Sequence, residues 1–295
     1  KEWMRQMSEM QVVLGVDVGG STTKIIGYDL DQRLIGTLQV RATDQMTSLY
    51  GAIGNFLKTH QLSLRAVKRI ILTGVGASFI EETIFDIPTY KVKEFEAIGL
   101  GGVHLAGLEE ALVVSMGTGT AFVCVKAGEV KHIGGSGVGG GTLLGLAKLT
   151  LGQQDSSVVG DMATLGDLGM VDLVIQDITH EKIPSLPEDA TASNFGSVKS
   201  HVQEQDIAKG LINMIFQTIG MMAVFACQNT SIRQVVLTGS LTTLPQAQAI
   251  FDGIGQMHGI HFIIPKQAVF ATAIGAVANT LEEEKTLLSY TKVSK

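Results

Sequence analysis

The chain has 295 residues, which is enough for one large domain or two of ordinary size. Its formal net charge of -6 and pI near 5.6 offer no basic face for nucleic acid or for an anionic membrane. Its two cysteines, Cys124 and Cys227, suggest neither a disulfide framework nor a cysteine metal site. We therefore expect a two-lobed cytoplasmic protein that has no nucleic-acid partner.

A mean hydropathy of +0.29 requires that membrane spans be considered. The best candidate is residues 211–227, which fall short of the ~20 apolar residues that a span needs. Asn213 and Gln217 also lie one helical turn apart in this stretch. We predict a helix that is buried in the protein or at the interface of a homodimer, and no membrane partner. Residues 1–10 lack the apolar core of a signal sequence and are expected to form a flexible or surface leader.

Short apolar runs bounded by glycines predict strands along the first third of the chain. They predict strands at 12–16 and 25–28, a third over "LIGTLQV", a helix at 48–60 and a buried strand at 69–75. The pattern then restarts in "ALVVSMGTGTAFVCVKAGEVKHIGG", and after a helix-rich middle it continues to the strand "QVVLTGS". This order differs from the simple alternation of a Rossmann unit. Two copies of one supersecondary unit indicate an internal duplication.

The turn "DVGGSTTK" carries more polar groups than a hairpin needs, because two residues suffice for turning. Glycines let backbone N–H groups approach an anion, hydroxyls donate hydrogen bonds and a lysine adds a point charge. A decorated hairpin remains the alternative. We predict phosphate binding by the whole turn, which consists of Asp17, Val18, Gly19, Gly20, Ser21, Thr22, Thr23 and Lys24.

Three further glycine and hydroxyl segments follow strands in the second half. "SMGTGTA" and "LTGS" are turns, and residues 134–150 run from a glycine-rich loop into a helix whose N-terminus would suit an anion. Together these segments could hold a nucleotide. A carboxylate at Asp17 would oppose an anion unless Mg²⁺ intervened, coordinated through water. An Asx-turn residue is the alternative role for Asp17.

Six motifs in order resemble those of the type II pantothenate kinases, over about residues 11–277. They are "DVGGSTTK", "SMGTGT", "GVGGGTLLGL", "DMATLGD", "ATASNFGS" and "VVLTGS". That family belongs to the superfamily of acetate and sugar kinases, Hsc70 and actin. The resemblance implies an α/β, two-lobed actin-like (ribonuclease H-like) duplicated fold with the nucleotide in the interlobe cleft. We place the lobes at 11–93 and 94–285, with tails at 1–10 and 286–295.

The resemblance also implies an activity, the phosphorylation of pantothenate to 4′-phosphopantothenate with ATP and Mg²⁺, which begins coenzyme A biosynthesis. The family's general base matches Glu94 in "KVKEFEAIGLGG". A carboxylate there is chemically sufficient, since the alcohol must lose its proton as the phosphoryl group arrives. On a strand, Glu94 and Glu96 would point to the same face, and both could simply solvate an exposed strand end.

The remaining site residues follow from the turns and the resemblance together. Asp17 would position Mg²⁺, and the first turn would hold phosphates. Besides that turn, the predicted nucleotide-binding residues are Gly117, Thr118, Gly119, Gly139, Gly140, Gly141, Thr142, Leu143 and Ser156, with Gly239 and Ser240 near the adenosine. The predicted acceptor-substrate residues are Thr118, Ala121 and His132.

Two departures from the family pattern bear on the substrate. The family commonly has an arginine where "VKHIGG" places His132, and a serine where "GTGTAF" places Ala121. Both positions belong to the pantothenate side of the family's site. The expected substrate is therefore pantothenate or a similar alcohol.

Other functions remain open from the sequence. One is a sugar kinase or a pantetheine-like kinase of the same superfamily, and another is a nonenzymatic ATP-binding regulator. A third is a dinucleotide-dependent oxidoreductase, because Gly135, Gly137 and Gly140 satisfy G-x-G-x-x-G before a helix. The superfamily's dehydratase activators are disfavoured, because no cysteine is placed to share an iron–sulfur cluster.

Overall fold

The computed structural model describes residues 11–42, 44–80, 83–179, 181 and 187–280. The predicted tails at 1–10 and 286–295 lie outside this part. The chain groups into two compact units. One comprises the chain up to Val113, Val123–His132 and the chain from Pro265 onward, and the other comprises Val114–Phe122 and Ile133–Ile264. The proposed lobe boundary at 93/94 stays a prediction.

The first sheet has five strands in the spatial order β3-β2-β1-β4-β5. Adjacent strands in the meander β1 to β3 are antiparallel, whereas β4 is parallel to β1 and to β5. The helix α1, Gln45–Thr59, connects β3 to β4. The strands are β1 Val12–Val18, β2 Thr22–Asp29, β3 Leu34–Arg41, β4 Val67–Thr73 and β5 Thr89–Lys91.

Both faces of this sheet are covered, which explains why all seven residues of β1 are buried. Because side chains alternate along a strand, β1 contributes to two hydrophobic clusters. One face packs with α1, through residues that include Val16, Leu49, Ile53 and Phe56. The other face packs with the helices α2, Glu94–Ala106, and α8, Ala268–Thr280, through Val13, Ile26, Ala97, Ala273 and Ile274.

The five strands of the second sheet repeat the order of the first. Its order is β12-β11-β6-β7-β8, which corresponds to β5-β4-β1-β2-β3. The repeat confirms the predicted internal duplication, and the architecture is the actin-like α/β fold that the sequence predicted. Its strands are β6 Ala111–Met116, β7 Thr120–Lys126, β8 Glu129–Ser136, β11 Gln234–Thr238 and β12 His261–Ile263.

Helices and one small antiparallel sheet connect β8 to β11, and one further helix connects β11 to β12. The two strands of that sheet are β9, Leu173–Val174, and β10, Thr191–Ser193. The helices of this region are α3 Gly140–Leu151, α4 Ser156–Leu165, α5 Ile175–Ile178, α6 Glu204–Cys227 and α7 Ala247–His258.

The apolar helix predicted at 211–227 is the C-terminal part of α6. By length and composition, α6 is the one helix in the described part of the chain that could cross a membrane, yet 61% of its most apolar window is buried inside the protein. Asp206 caps it, accepting hydrogen bonds from the N–H groups of Gln203 at 2.9 Å and Asp167 at 2.7 Å. This burial agrees with a helix buried in the protein, which is one of the two predicted placements, and the homodimer stays a prediction.

The buried carboxylate of Asp172 explains why the apolar helix α6 contains the polar residue Asn213. Asp172 is fully buried, and its Oδ2 accepts a hydrogen bond from Asn213 Nδ2 at 3.0 Å. It also accepts from the Thr191 hydroxyl at 3.0 Å, from Asn194 Nδ2 at 3.3 Å and from the Phe195 N–H at 2.9 Å. Asp172 therefore ties the "TASNFG" segment to α6, because a buried charge needs several partners.

Candidate active site

A buried ion pair lies where the first glycine turn joins β1 and β2. Asp17 of β1 is the register partner of Lys24 in β2, and the Lys24 Nζ lies 3.5 Å from the Asp17 Oδ2. Each side chain is only 9% exposed. Burial raises the pKa of Asp17, and the nearby positive charge of Lys24 opposes that rise. The pair places one carboxylate and one ammonium directly beside the predicted phosphate-binding turn.

The turn itself is closed by its own backbone. The Gly19 N–H donates to the Thr22 carbonyl oxygen at 3.0 Å, which leaves Gly20 and Ser21 at an exposed tip. Thr23 is fully buried opposite Val18. Since Thr23 alternates with Lys24 along β2, its side chain points away from the Asp17 face. Side-chain contacts to a phosphate from this turn would therefore come from its tip and from Lys24.

Glu94 and Glu96 begin a helix, so their predicted placement on a strand is wrong. They are the first and third residues of α2. Residues two apart lie about 200° apart around a helix, so the two carboxylates cannot share a face. Glu96 forms a 3.2 Å ion pair with Lys93. The segment is helical because its apolar residues recur at helical spacing, as Ala97, Ile98 and Gly101 do on the buried side.

Glu94 is partly buried and lies in the field of the ion pair. Burial raises the pKa of its carboxyl, the negative charge of Asp17 adds to the rise and Lys24 opposes it. A carboxylate whose pKa is raised holds a proton more readily than an ordinary glutamate does. The raised pKa of Glu94 is compatible with the predicted role of general base, which stays a prediction.

Close helix packing holds Glu94 in place. A Cβ at Gly101 of α2 would collide with the carbonyl oxygen of Ala271, and one at Gly275 of α8 would collide with that of Ala97. Glycine in a helix costs about 1 kcal/mol relative to alanine, so these glycines need a packing reason. The reason is the contact between α2 and α8, which anchors the helix that carries the carboxylate.

The turn "SMGTGT" and the glycine-rich loop "GVGGGT" are hydrogen-bonded to each other. The Gly140 N–H donates to the Gly117 carbonyl oxygen, and the Gly141 N–H donates to that of Thr118, both at 2.8 Å. The Gly139 N–H donates to the Thr142 hydroxyl oxygen at 3.2 Å. In this conformation these three amides contact protein oxygens, so phosphate binding by their N–H groups stays a prediction. The predicted Leu143 is 1% exposed and packs in the core.

The turn "LTGS" lies beside the turn "SMGTGT". A Cβ at Gly239 would meet Met116, and one at Gly140 would lie 3.7 Å from the Leu241 side chain. The structure thus brings the "SMGTGT", "GVGGGT" and "LTGS" segments together within one compact unit. Ser240 opens the 3₁₀ helix Ser240–Thr243. The predicted Ser156 is the first residue of α4.

The structure also reveals a fourth turn, which the sequence reasoning missed. Gly74 follows β4 with φ +91°, and Gly239 follows the corresponding β11 with φ +91°. Each is preceded by threonine, Thr73 or Thr238, and each opens a 3₁₀ helix. A positive φ favours glycine, so both turns require it. The tripeptide "LTG" occurs at both places, and comparing the two halves of the sequence would have found it.

His132 is stacked on a residue next to Glu94. Its ring lies on that of Phe95 with centroids 3.7 Å apart and an interplanar angle of 6°. Phe95 is 39% exposed, and Gly99 one turn later lies against Val130 of β8. The sequence reasoning missed Phe95. Its stacking on the imidazole places His132 close to the first turn of α2, whereas Ala121 is a partly buried residue of β7.

A divalent cation fits the carboxylate of the first unit. The described residues contain no cluster of three or more histidine, cysteine, aspartate or glutamate side chains that could enclose a metal. Mg²⁺ does not need such a cluster, because it usually keeps several waters and binds one or two carboxylates together with substrate phosphates. Asp17 supplies such a carboxylate beside the turn. Thr73, in register with Asp17, has a buried hydroxyl that lacks a hydrogen-bond partner in the described part of the chain.

Two solved structures share this architecture. The activator of the 2-hydroxyisocaproyl-CoA dehydratase from Clostridium difficile, with bound ADPNP, aligns over 95% of this chain and 98% of its own, with a TM-score of 0.68 at 14% identity. A ROK family protein from Streptococcus pneumoniae, in complex with sucrose, aligns over 94% and 100%, with a TM-score of 0.58 at 12% identity. At these identities the likeness defines the fold, that of the acetate and sugar kinase, Hsc70 and actin superfamily.

The sequence identifies the family within that superfamily. Residues 29–250 match the sequence model of the Fumble family, and the chain belongs to this family, which is that of the type II pantothenate kinases. A type II pantothenate kinase from Staphylococcus aureus is 28% identical over 274 residues, covering 90% of this chain and 98% of that protein. The relationship supports a kinase that binds ATP and acts on a small molecule.

Proposed function

We propose that the protein phosphorylates pantothenate at its 4′-hydroxyl with ATP and Mg²⁺. One observation carries the proposal. Glu94, the first residue of α2, lies in the electrostatic field of the Asp17–Lys24 pair, and that pair flanks the first glycine turn. A base, a cation ligand and a fixed positive charge are the groups that phosphoryl transfer to an alcohol needs. Membership of the Fumble family supports the assignment.

Each of these residues then has a role in the transfer. Glu94 accepts the proton of the acceptor hydroxyl. Asp17 would hold the magnesium ion, which when bound with the nucleotide neutralises charge on the phosphates. Lys24 offsets the charge of Asp17 and contributes a positive charge to the phosphate side. Gly20 and Ser21 at the tip of the turn orient the phosphates.

The oxidoreductase alternative has little support in the topology. The G-x-G-x-x-G segment begins at Gly135 within β8, which is an edge strand whose one neighbour in the described sheet is β7. In a dinucleotide-binding unit, the helix after the glycines instead leads to a second strand that is parallel to the first in the same sheet.

We expect Mg-ATP to raise the melting temperature and NADH to leave it unchanged, because a ligand that binds only the folded protein stabilises it by mass action. Differential scanning fluorimetry with each ligand at matched concentration would measure both shifts. ATP without Mg²⁺ is the control for cation dependence. Stabilisation by NADH and none by Mg-ATP would contradict the kinase assignment.

The acceptor is tested by the two positions that depart from the family. Arginine carries a permanent charge and a rigid fork of five N–H donors, whereas the imidazole of His132 has only two ring nitrogens with which to form hydrogen bonds. Charged hydrogen bonds contribute about 1.5–3 kcal/mol and neutral ones about 0.5–1.5 kcal/mol. We therefore expect measurable but low kcat/KM for pantothenate, raised at least about tenfold by the double change His132→Arg, Ala121→Ser.

A coupled ADP-release assay over pantothenate, pantetheine and amino sugars would measure this. Efficient wild-type turnover of pantothenate that the double change does not improve would contradict the expectation. Turnover of another alcohol, with none of pantothenate in either protein, would favour the second candidate function, a related small-molecule kinase. The stack of His132 on Phe95 supports that second candidate, because this chain has two stacked aromatic rings where the family commonly has a charged arginine side chain.

A further inference from the structure

Thr73 carries a buried hydroxyl that the fold does not use. The residue ends β4 and is fully buried. Its Oγ1 has no hydrogen-bond partner in the described part of the chain. A buried polar atom without a partner costs stability, and valine of nearly the same shape would avoid that cost. The position therefore retains a hydroxyl at a cost that the folded chain alone does not offset.

The hydroxyl lies on the face of Asp17. In the parallel pairing of β1 and β4, Asp17 is the register partner of Thr73, so the two side chains leave the sheet on the same side. Asp17 is also the partner of Lys24 on its other flank. The turn after Thr73 touches the carboxylate directly, because a Cβ at Gly74 would lie 2.5 Å from the Asp17 Oδ1.

The second half of the chain provides an internal comparison. Thr238 occupies the corresponding position at the end of β11, before the same glycine conformation and the same type of helix. It too is buried, but its hydroxyl donates to the Val114 carbonyl oxygen at 3.5 Å. The turn geometry therefore permits a protein partner. Of these two threonines, only Thr73, the one beside Asp17, has a hydroxyl without a hydrogen-bond partner among the described residues.

We propose that Thr73 is a positioning residue for the cation site: its hydroxyl binds a water of the hydrated Mg²⁺ that Asp17 holds. Mg²⁺ dehydrates reluctantly and keeps several waters, and each of those waters needs acceptors for its two hydrogens. The Thr73 Oγ1 accepts one of them. This inference rests on the proposed kinase function, because that function brings the cation and the nucleotide to Asp17.

Three variants test it. Thr73→Val removes the hydroxyl and keeps the shape, Thr73→Ser keeps the hydroxyl, and Thr238→Val makes the same change in the other repeat. The measurement is thermal stabilisation of the full chain by ADP as a function of Mg²⁺ concentration, which needs no turnover. A lost hydrogen bond should raise the half-saturating Mg²⁺ concentration about three- to tenfold in Thr73→Val. We expect values close to wild type in Thr73→Ser and in Thr238→Val.

The unliganded melting temperature gives a second readout. It should stay equal or rise in Thr73→Val, since an unpaired hydroxyl is removed. A large fall would show that the hydroxyl has a structural partner, such as an enclosed water, and would overturn the inference. An unchanged Mg²⁺ dependence in Thr73→Val would overturn it too, while leaving the kinase proposal intact. If neither ADP nor ATP stabilises the wild type at any Mg²⁺ concentration, the proposed function fails, and this inference fails with it.

Discussion

Replacing Glu94 by glutamine is expected to lower kcat by about 10²–10⁴ while ATP binding is kept. Glutamine preserves the size of the side chain but cannot accept the proton of the acceptor hydroxyl. The loss should therefore appear in the chemical step. Steady-state kinetics and a thermal shift with Mg-ATP would separate the two effects.

Glu96 provides the matched control two residues away. It pairs with the exposed Lys93 and lies on a different side of α2, so Glu96→Gln should leave kcat close to that of the wild type. Equal losses in the two variants would show that the first turn of α2 contributes charge rather than a base. A fully active Glu94→Gln enzyme would remove Glu94 from the mechanism.

The pH profile of kcat/KM offers a further readout of the same prediction. Burial and the charge of Asp17 raise the pKa of Glu94 above its ordinary value of 4.5. The base works only when deprotonated, so activity should fall as pH drops through this raised pKa. The acidic limb should therefore lie above pH 4.5. It should be weaker or absent in the residual activity of Glu94→Gln.

Replacing Asp17 by asparagine is expected to destabilise the protein by about 3–5 kcal/mol, because removing one partner of a buried ion pair leaves the other charge uncompensated. Lys24 would be that charge, with a side chain that is 9% exposed. The same change removes the proposed cation ligand. Urea denaturation would measure the loss of stability, and the coupled assay would measure the loss of phosphoryl transfer.

A double variant separates the structural role of the pair from its chemical one. Asp17→Asn with Lys24→Met buries no unpaired charge, and replacing a buried pair by neutral groups is often close to neutral for stability. We expect most of the lost stability to return and kinase activity to remain absent. An active double variant would contradict the role of Asp17 at the cation. A single variant that is as stable as the wild type would contradict the buried pair.

Features that depend on local sequence could be predicted without a structure. Strand, turn and meander follow from short apolar runs and glycines, and both copies of the unit have the strand order expected of a duplication. The Gly19 and Gly239 turns and the apolar helix α6 were found in the same way. The order of the motifs was sufficient to indicate the family.

Features that depend on contacts between distant segments required the tertiary structure. No local pattern encodes the contact of α2 with α8 through Gly101 and Gly275, which positions the helix that begins with Glu94. The amides of Gly140 and Gly141 bond to a loop more than 20 residues away in sequence, and the ring of His132 stacks on Phe95. The missing partner of Thr73 is likewise a property of its surroundings. The sequence by itself determined which polar groups the chain carries and on which turns they lie. Only the tertiary structure decided which of these groups have hydrogen-bond partners, because burial and hydrogen bonding depend on which distant segments pack against each turn.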